Sequence, residues 1–302
     1  MQYLDSFTLP SAGDEEDYFL NYPAELEMAC YSHETIYPFK IFPQKQLSRL
    51  DFEPITIFYG GNGSGKSTLL NVIAEKLGLI RTAPFNNTPF MKEYLRRCGF
   101  TLTYGKRVPR ESRIITSDDV FDFLLDIRSI NEGVANRREQ LFAEYDDFRK
   151  EITRGKTFEF RSMDDYEALK HRNELKRSTK SQFASRRMPT ELSGKSNGES
   201  AFWYFTNQIE ENALYLLDEP ENSLSVKLQN ELRQFIEDSV RFYHCQFVIS
   251  SHSPFLLSLK GAKVYDLDEI PVREKPWTAL ENVRMYFEFF DRYRKEFEAH
   301  DS

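Results

Sequence analysis

The chain has 302 residues, a formal net charge of −8 and 40% apolar residues, with 26 Phe and 16 Tyr. That is enough apolar mass for one large domain or a domain carrying a subdomain, and the charge argues against a uniformly basic nucleic-acid binder while allowing a local basic patch. No window approaches a membrane-spanning apolar run, Met1-Gln2-Tyr3-Leu4-Asp5 does not open a secretory leader, and Cys30, Cys98 and Cys245 form neither a disulfide framework nor a CxxC metal site, so a cytoplasmic location is expected.

Residues 1–35, with the acidic run Asp14-Glu15-Glu16-Asp17, are expected to form a partly ordered N-terminal arm. Tyr37-Pro38-Phe39-Lys40-Ile41-Phe42-Pro43 reads as a short edge strand, because its prolines exclude a central place in a sheet. The β-branched and aromatic run Ile55-Thr56-Ile57-Phe58-Tyr59 predicts a buried strand.

Directly after it comes Gly60-Gly61-Asn62-Gly63-Ser64-Gly65-Lys66-Ser67-Thr68, then Leu69, Leu70, Val72, Ile73, Ala74 and Leu77 at helical spacing, with Gly78 as a stop. Strand, GxxxxGK[ST] and helix together are the P-loop in its required context. Glycines at these places let backbone N–H groups turn inward around phosphates, and the helix N-terminus adds its positive end. Lys66 supplies a point charge to the phosphates and the Ser67 hydroxyl can ligate Mg²⁺, so the chain is expected to bind a nucleoside triphosphate.

Beyond the P-loop helix, Met91–Cys98 predicts a short helix, and Phe100–Tyr104 and Arg113–Thr116 predict strands. Ser117-Asp118-Asp119 would cap the helix carrying Val120–Leu125. Residues 128–190 form a charged insertion in which Val134, Leu141, Tyr145, Phe148 and Ile152 keep helical spacing and Tyr166 and Leu169 begin a weaker helix. A short antiparallel helical hairpin follows from that spacing, far short of a long coiled-coil arm. Within it, Arg172, Lys176, Arg177, Lys180, Arg186 and Arg187 face one acid, Glu174; the run reads as a solvated helix face, with a phosphate-backbone contact as the alternative.

From residue 193 the pattern is regular again. A glycine-containing turn leads into a helix through Ser200–Phe205, Ala213–Leu217 is a buried strand, Val226–Val240 a helix and Gln246–Ser250 a buried strand. Strands separated by helices of this length imply a parallel sheet with crossovers. A terminal helix, Ala279–Ala299, carries Tyr286, Phe289, Phe290, Tyr293 and Phe297 as a stripe expected to pack on the core, with a partner surface as the other use.

The strand Leu214–Leu217 ends in Asp218-Glu219-Pro220: the first carboxylate is placed to hold Mg²⁺ beside the phosphate loop, the second to orient and deprotonate an attacking water. Gly60–Thr68, Asp218-Glu219-Pro220 and Ser250-Ser251-His252-Ser253-Pro254 together resemble an ABC-type ATPase cassette, most nearly the SMC/RecF-like and OLD-like ATPases and the short AAA-family ATPases of bacteria. The resemblance spans residues 36–80 and 190–270, the terminal helix less fully and the insertion hardly at all. It implies an α/β P-loop fold with a mostly parallel central sheet flanked by helices, with residues 36–127 and 191–302 forming the ATPase domain and 128–190 a helical insertion. ATP and Mg²⁺ are its implied cofactors, with Walker A at 60–67, Walker B at 214–218 with Asp218 and Ser67 toward the metal, Glu219 and Lys66 as catalytic groups, and His252 as a switch on the γ-phosphate.

In such cassettes a signature segment reaches the nucleotide of the opposite subunit; Ser196, Gly198 and Glu199 fit it better than Leu192-Ser193-Gly194-Lys195. The loop after Glu219, Glu221-Asn222-Ser223-Leu224-Ser225, has Ser225 where the resemblance leads one to expect aspartate, and Asp118 is the candidate for the missing Q-loop glutamine. The implied function is an ATP-hydrolysing, ATP-gated head-to-tail homodimeric switch in DNA-related or anti-phage processes, with a DNA or effector partner met through 128–190. The alternatives are a nucleotide-binding subunit of an ABC transporter and a non-hydrolysing ATP-gated scaffold. His33, His171, His244 and His300 lack ligand-like company, and Asp266-Leu267-Asp268, though a DxD, is read as a strand-end turn rather than a nuclease site.

Overall fold

A computed structural model of the chain describes residues 1–21, 36–153 and 196–298. It forms two compact units, residues 1–121 with 197–302, and residues 122–196.

The first unit is built on a six-stranded sheet of order β5-β6-β7-β3-β8-β9, comprising β5 (Arg113–Ile115), β6 (Leu214–Asp218), β7 (Gln246–Ser250), β3 (Ile55–Tyr59), β8 (Lys263–Asp266) and β9 (Arg273–Glu274). All neighbours run parallel except the short edge strand β9. Every residue of β3, β6 and β7 is buried, which is why these strands read as unbroken apolar runs rather than alternating ones. One face packs against α2 (Lys66–Leu77), through Leu69, Leu70 and Ile73, and α6 (Val226–Phe242) packs against β7.

A second, antiparallel sheet of order β2-β1-β4 joins the same core, from β1 (Leu4–Thr8), β2 (Arg49–Asp51) and β4 (Gly99–Leu102). Here the structure corrects the expected N-terminal arm: β1 is the central strand of this sheet, and Leu4 and Phe7 are fully buried. The cause is the buried amide of Gln246. Its Oε1 accepts from Tyr3 N and Leu4 N, both at 2.8 Å, and its Nε2 donates to Leu4 O at 2.8 Å, which fixes β1 to the foot of β7. The acidic run lies on α1 (Ala12–Asn21), where Asp14 accepts from Ser11 N and Oγ, and Tyr18 stacks on Phe39 with ring centroids 5.0 Å apart.

Residues 37–42 are turn rather than the expected edge strand, and lead into a 3₁₀ turn at Pro43–Lys45. α3 (Met91–Arg97) agrees with the sequence reading. So does the helix start near 117, except that α4 (Ser117–Thr153) runs on unbroken for 37 residues, about 55 Å at the α-helical rise, where a separate hairpin was expected. The boundary between the two units falls within it. Leu141 and Tyr145 are buried, in keeping with their helical spacing. The second helix expected near Tyr166, the basic run 172–188 and the segment Leu192–Lys195 lie outside the described residues, as do Cys30, His33, His171 and His300.

The terminal segment departs most from expectation. After the short α7 (Pro254–Leu257) it forms α8 (Glu281–Arg292) and α9 (Arg294–Glu298), but Tyr286, Phe289, Phe290, Tyr293 and Phe297 are exposed, and among α8 residues only Val283 is buried. The aromatic stripe contacts itself instead, with Phe289–Phe290 centroids 5.5 Å apart. No helix of the described residues is long and apolar enough to cross a membrane.

Glu15 gives this unit a pH dependence. It is buried, its carboxylate accepts from Lys40 N at 2.7 Å, and desolvation pushes its pKa up to about 7 against that hydrogen bond. Between the ordinary carboxyl value and 7 the folded chain therefore binds more protons than the unfolded chain, so stability falls as pH rises through that window. Urea denaturation should show the parent losing up to about 3 kcal/mol more than Glu15→Gln from pH 4.5 to 7; parallel curves for the two proteins would contradict this.

Candidate functional site

The site is assembled at the C-terminal ends of three adjacent strands, β6, β7 and β3. From β3 the chain enters Gly60–Gly65. Gly63 (φ 79°) and Gly65 (φ 94°) take left-handed conformations that residues with a Cβ rarely adopt, and Ser64 N closes the turn on Gly61 O at 3.1 Å. α2 begins at Lys66, so the positive end of a 12-residue helix points into the loop. Asn62 and Gly61 are exposed at its rim, and Ser67 and Thr68 lie in the first turn of α2.

Lys66 is 4% exposed. Its Nζ donates to Gly60 O at 2.8 Å and Gly61 O at 3.2 Å, and lies 3.5 Å from Glu219 Oε1. Asp218, at the tip of β6, accepts a hydrogen bond from Ser250 Oγ; burial pushes its carboxyl above the ordinary value, with Ser250 and Ser67 acting in the opposite direction. Glu219 follows with a positive φ of 47°, its N–H donating to Ser250 O and Oγ, each at 3.1 Å. Such a conformation in a residue with a long side chain is costly and is held here by those two bonds.

His252, just past β7, brings Nε2 to 3.2 Å from Glu219 Oε1, while Asn222 Nδ2 donates to Glu219 Oε2 at 3.1 Å. The hydrogen bond to His252 holds the Glu219 carboxyl down to about 2, with Asn222 and the Lys66 charge acting the same way against partial burial. Lys66, Ser67, Asp218, Glu219 and His252, far apart in sequence, are thus in one cluster.

The signature residues lie elsewhere on the same route. Gly198 and Glu199 are in the first turn of α5 (Asn197–Gln208), and a Cβ on Gly198 would come within 3.0 Å of Ser223 O, so glycine there permits close packing on the loop after Glu219. Ser196 is exposed immediately before that helix. Ser225 acts as the N-cap of α6, accepting from Leu228 N. Asp118 is exposed and is not the anchored acid at this helix start. That acid is the buried Asp119, which accepts from Ala83 N and from Thr116 N and Oγ1, all at 2.7 Å.

Three further residues reach the site that the sequence reading did not assign to it. Asp268 Oδ2 accepts from Gly61 N at 2.6 Å, so the DLD turn braces the phosphate loop. Glu221 and Asn282 both hold the backbone around His252. The DxD turn is further held by Asp268 N on Asp266 Oδ1 and by an Asp266–Lys275 ion pair at 3.0 Å. Only its position after a strand was legible; the neighbour it touches depends on β8 pairing with β3.

Placing the phosphate-loop strand and the Asp218 strand one strand apart, with β7 between them carrying the His252 loop, decides the architecture. Residues 134–258, which contain β6, β7 and His252, also match the family model described as "AAA domain, putative AbiEii toxin, Type IV TA system". The fold is an α/β P-loop arrangement, a mostly parallel central sheet flanked by helices.

Solved structures similar to this chain include the SMC head domain from Thermotoga maritima, at 14% identity and a TM-score of 0.40, covering 91% of this chain and 99% of that one. Another is the Smc head domain with an extended coiled coil bound to the C-terminal domain of ScpA, derived from Pyrococcus furiosus, at 14% identity and 0.42, covering 97% and 100%. A third is the ATP-binding cassette MJ0796 in a dimeric post-hydrolysis state bound to ADP and Pi, at 16% and 0.36, covering 78% and 90%. No curated protein matches the sequence.

Removing the Asp268 carboxylate should loosen the first turn of the phosphate loop. Asp268→Ala is expected to cost about 1 kcal/mol in urea denaturation and to speed amide exchange at Gly61. Unchanged exchange at Gly61 would show that this brace is idle.

Proposed function

We propose that this domain binds MgATP at Gly60–Thr68 and hydrolyses it, two copies closing head-to-tail around two nucleotides and reopening after hydrolysis. The observation that supports this best is the convergence of the Lys66 ammonium, the Asp218 and Glu219 carboxylates and the His252 imidazole at the ends of three adjacent strands. Phosphoryl transfer requires positioning and charge stabilisation more than covalent chemistry, and these groups supply both.

The residues fit the magnesium nucleotide. Ser64 Oγ is buried in the loop without a protein partner, a donor suited to a phosphate oxygen. Ser67 lies near enough to Asp218 to lower its carboxyl pKa, so a hydroxyl and one carboxylate, both hard oxygen ligands, share the site. Mg²⁺ is commonly held by one or two carboxylates together with substrate phosphates and water, and among the described residues no group of three or more Asp, Glu, His or Cys is placed to hold a metal ion by itself. Bound there, Mg²⁺ would neutralise charge developing on the phosphate oxygens.

In this reading Lys66 turns its charge to the phosphates, and His252 contacts the γ-phosphate while remaining near Glu219. A carboxyl held at about 2 orients a water better than it takes its proton. Drawing Lys66 away and bringing phosphate charge close would both raise Glu219 toward the working range. Ser196, Gly198 and Glu199, at the start of α5, would meet the nucleotide of the second copy, so that ATP itself completes the interface. The resulting opening and closing would be passed to DNA or to an effector through residues 128–190.

Glu219→Gln tests both halves. Phosphate release is expected to fall about 10²- to 10⁴-fold below the parent, and light scattering should show the mass doubling from 35.7 kDa with MgATP but not with MgADP. Hydrolysis at the parental rate would remove Glu219 from the chemistry, and a persistent monomer in MgATP would remove the shared site.

A further inference from the structure

The turn that carries Glu219 also carries a second carboxylate, two residues on, which meets the same loop at its backbone. Glu221 Oε1 accepts three hydrogen bonds from three consecutive residues: Ser251 Oγ at 2.8 Å, His252 N at 2.6 Å and Ser253 N at 3.1 Å. Its other oxygen, Oε2, is buried with no partner. Burying a carboxylate is expensive, and desolvation pushes this one above its ordinary value, so a glutamate here is not a neutral filler. What offsets the cost is the set of donors, all from the loop that presents His252.

The opposite side of that loop is held as well. Asn282 Nδ2, in the first turn of α8, donates to His252 O at 3.1 Å, and Asn282 N donates to the Tyr59 hydroxyl at 3.3 Å. Tyr59 is the last residue of β3 before the phosphate loop, and its ring lies edge-on to the His252 imidazole with centroids 6.5 Å apart. Ser253 Oγ is also fixed, donating to Gln229 Oε1 of α6 at 2.7 Å. The peptide groups on both sides of His252 therefore have assigned partners, one from the Glu219 turn and one from α8.

We propose that Glu221 and Asn282 form a two-sided clamp on the His252 backbone and are positioning residues for the imidazole, setting Nε2 against Glu219. The proposal rests on the ATPase reading for its catalytic consequence but not for the clamp itself. Neither residue touches the reacting groups; both act through His252. A displacement of about 1 Å at a reacting group can cost on the order of 10²-fold in rate, so a loosened loop is felt in turnover more than in substrate binding. The clamp also ties the first turn of α8 to the loop that carries His252.

The test uses the full chain with Glu221→Ala, Glu221→Gln and Asn282→Ala. In Glu221→Ala, amide exchange at His252 and Ser253 should accelerate while β7 and the phosphate loop keep their protection. Its MgATP hydrolysis should lose roughly 10- to 100-fold in kcat with KM changed by less than about threefold. Glu221→Gln keeps an acceptor oxygen for the same donors and should recover most of both. Asn282→Ala should reproduce the kcat loss in smaller measure and serves if Glu221→Ala does not fold. Parental exchange at His252 and Ser253 in Glu221→Ala would overturn the clamp. Faster exchange with an unchanged kcat would overturn the positioning role. A parent without hydrolysis would sink the ATPase reading alone, leaving the exchange measurements to judge the clamp.

Discussion

One buried positive charge organises this molecule. The Lys66 ammonium sits at the mouth of a parallel sheet, surrounded by the carbonyls of Gly60 and Gly61 and by Glu219. A desolvated ammonium is tolerated only where acceptors and a counter-charge are fixed around it. Fixing them requires the glycine turn, since Gly63 and Gly65 curl the loop back over its own lysine. It also requires β6 to end close enough to deliver Glu219, which the order β6-β7-β3 achieves across a single intervening strand.

That intervening strand supplies the second layer of control. Ser250, the last residue of β7, serves Asp218 with its hydroxyl and receives the Glu219 N–H with both its oxygens. The next residues carry His252 to the far side of the same carboxylate. The two acids of Asp218-Glu219 consequently live in different environments despite being neighbours: burial raises the first, while hydrogen bonds and positive charge lower the second. In the proposed ATPase mechanism, this divergence would separate a metal-holding role from a water-orienting role.

Much of this was legible in the chain because the decisive elements are local. Ile55–Tyr59, Leu214–Asp218 and Gln246–Ser250 are buried on both faces and so appear as plain apolar runs, and the glycine pattern announces its own backbone conformation. What was not legible depends on contacts across the chain. The N-terminus looked loose because the amide that fixes β1 belongs to Gln246, more than two hundred residues away. α4 looked like two pieces because a change from apolar to charged residues marks a change of surroundings, not a helix end. The aromatic stripe of α8 identified an amphipathic helix correctly, but periodicity cannot say whether anything covers it. Glu221 and Asp268 stood beside recognised motifs, yet their partners follow from strand adjacency, which residue spacing alone does not encode.

The account is tested most directly by a titration of MgATP against the parent and Lys66→Ala, with circular dichroism confirming that the variant remains folded. If the buried ammonium is the anchor for the phosphates, the variant should bind at least about tenfold more weakly, a loss of roughly 1.4 kcal/mol or more. Equal affinity of the two folded proteins would contradict the account at its base.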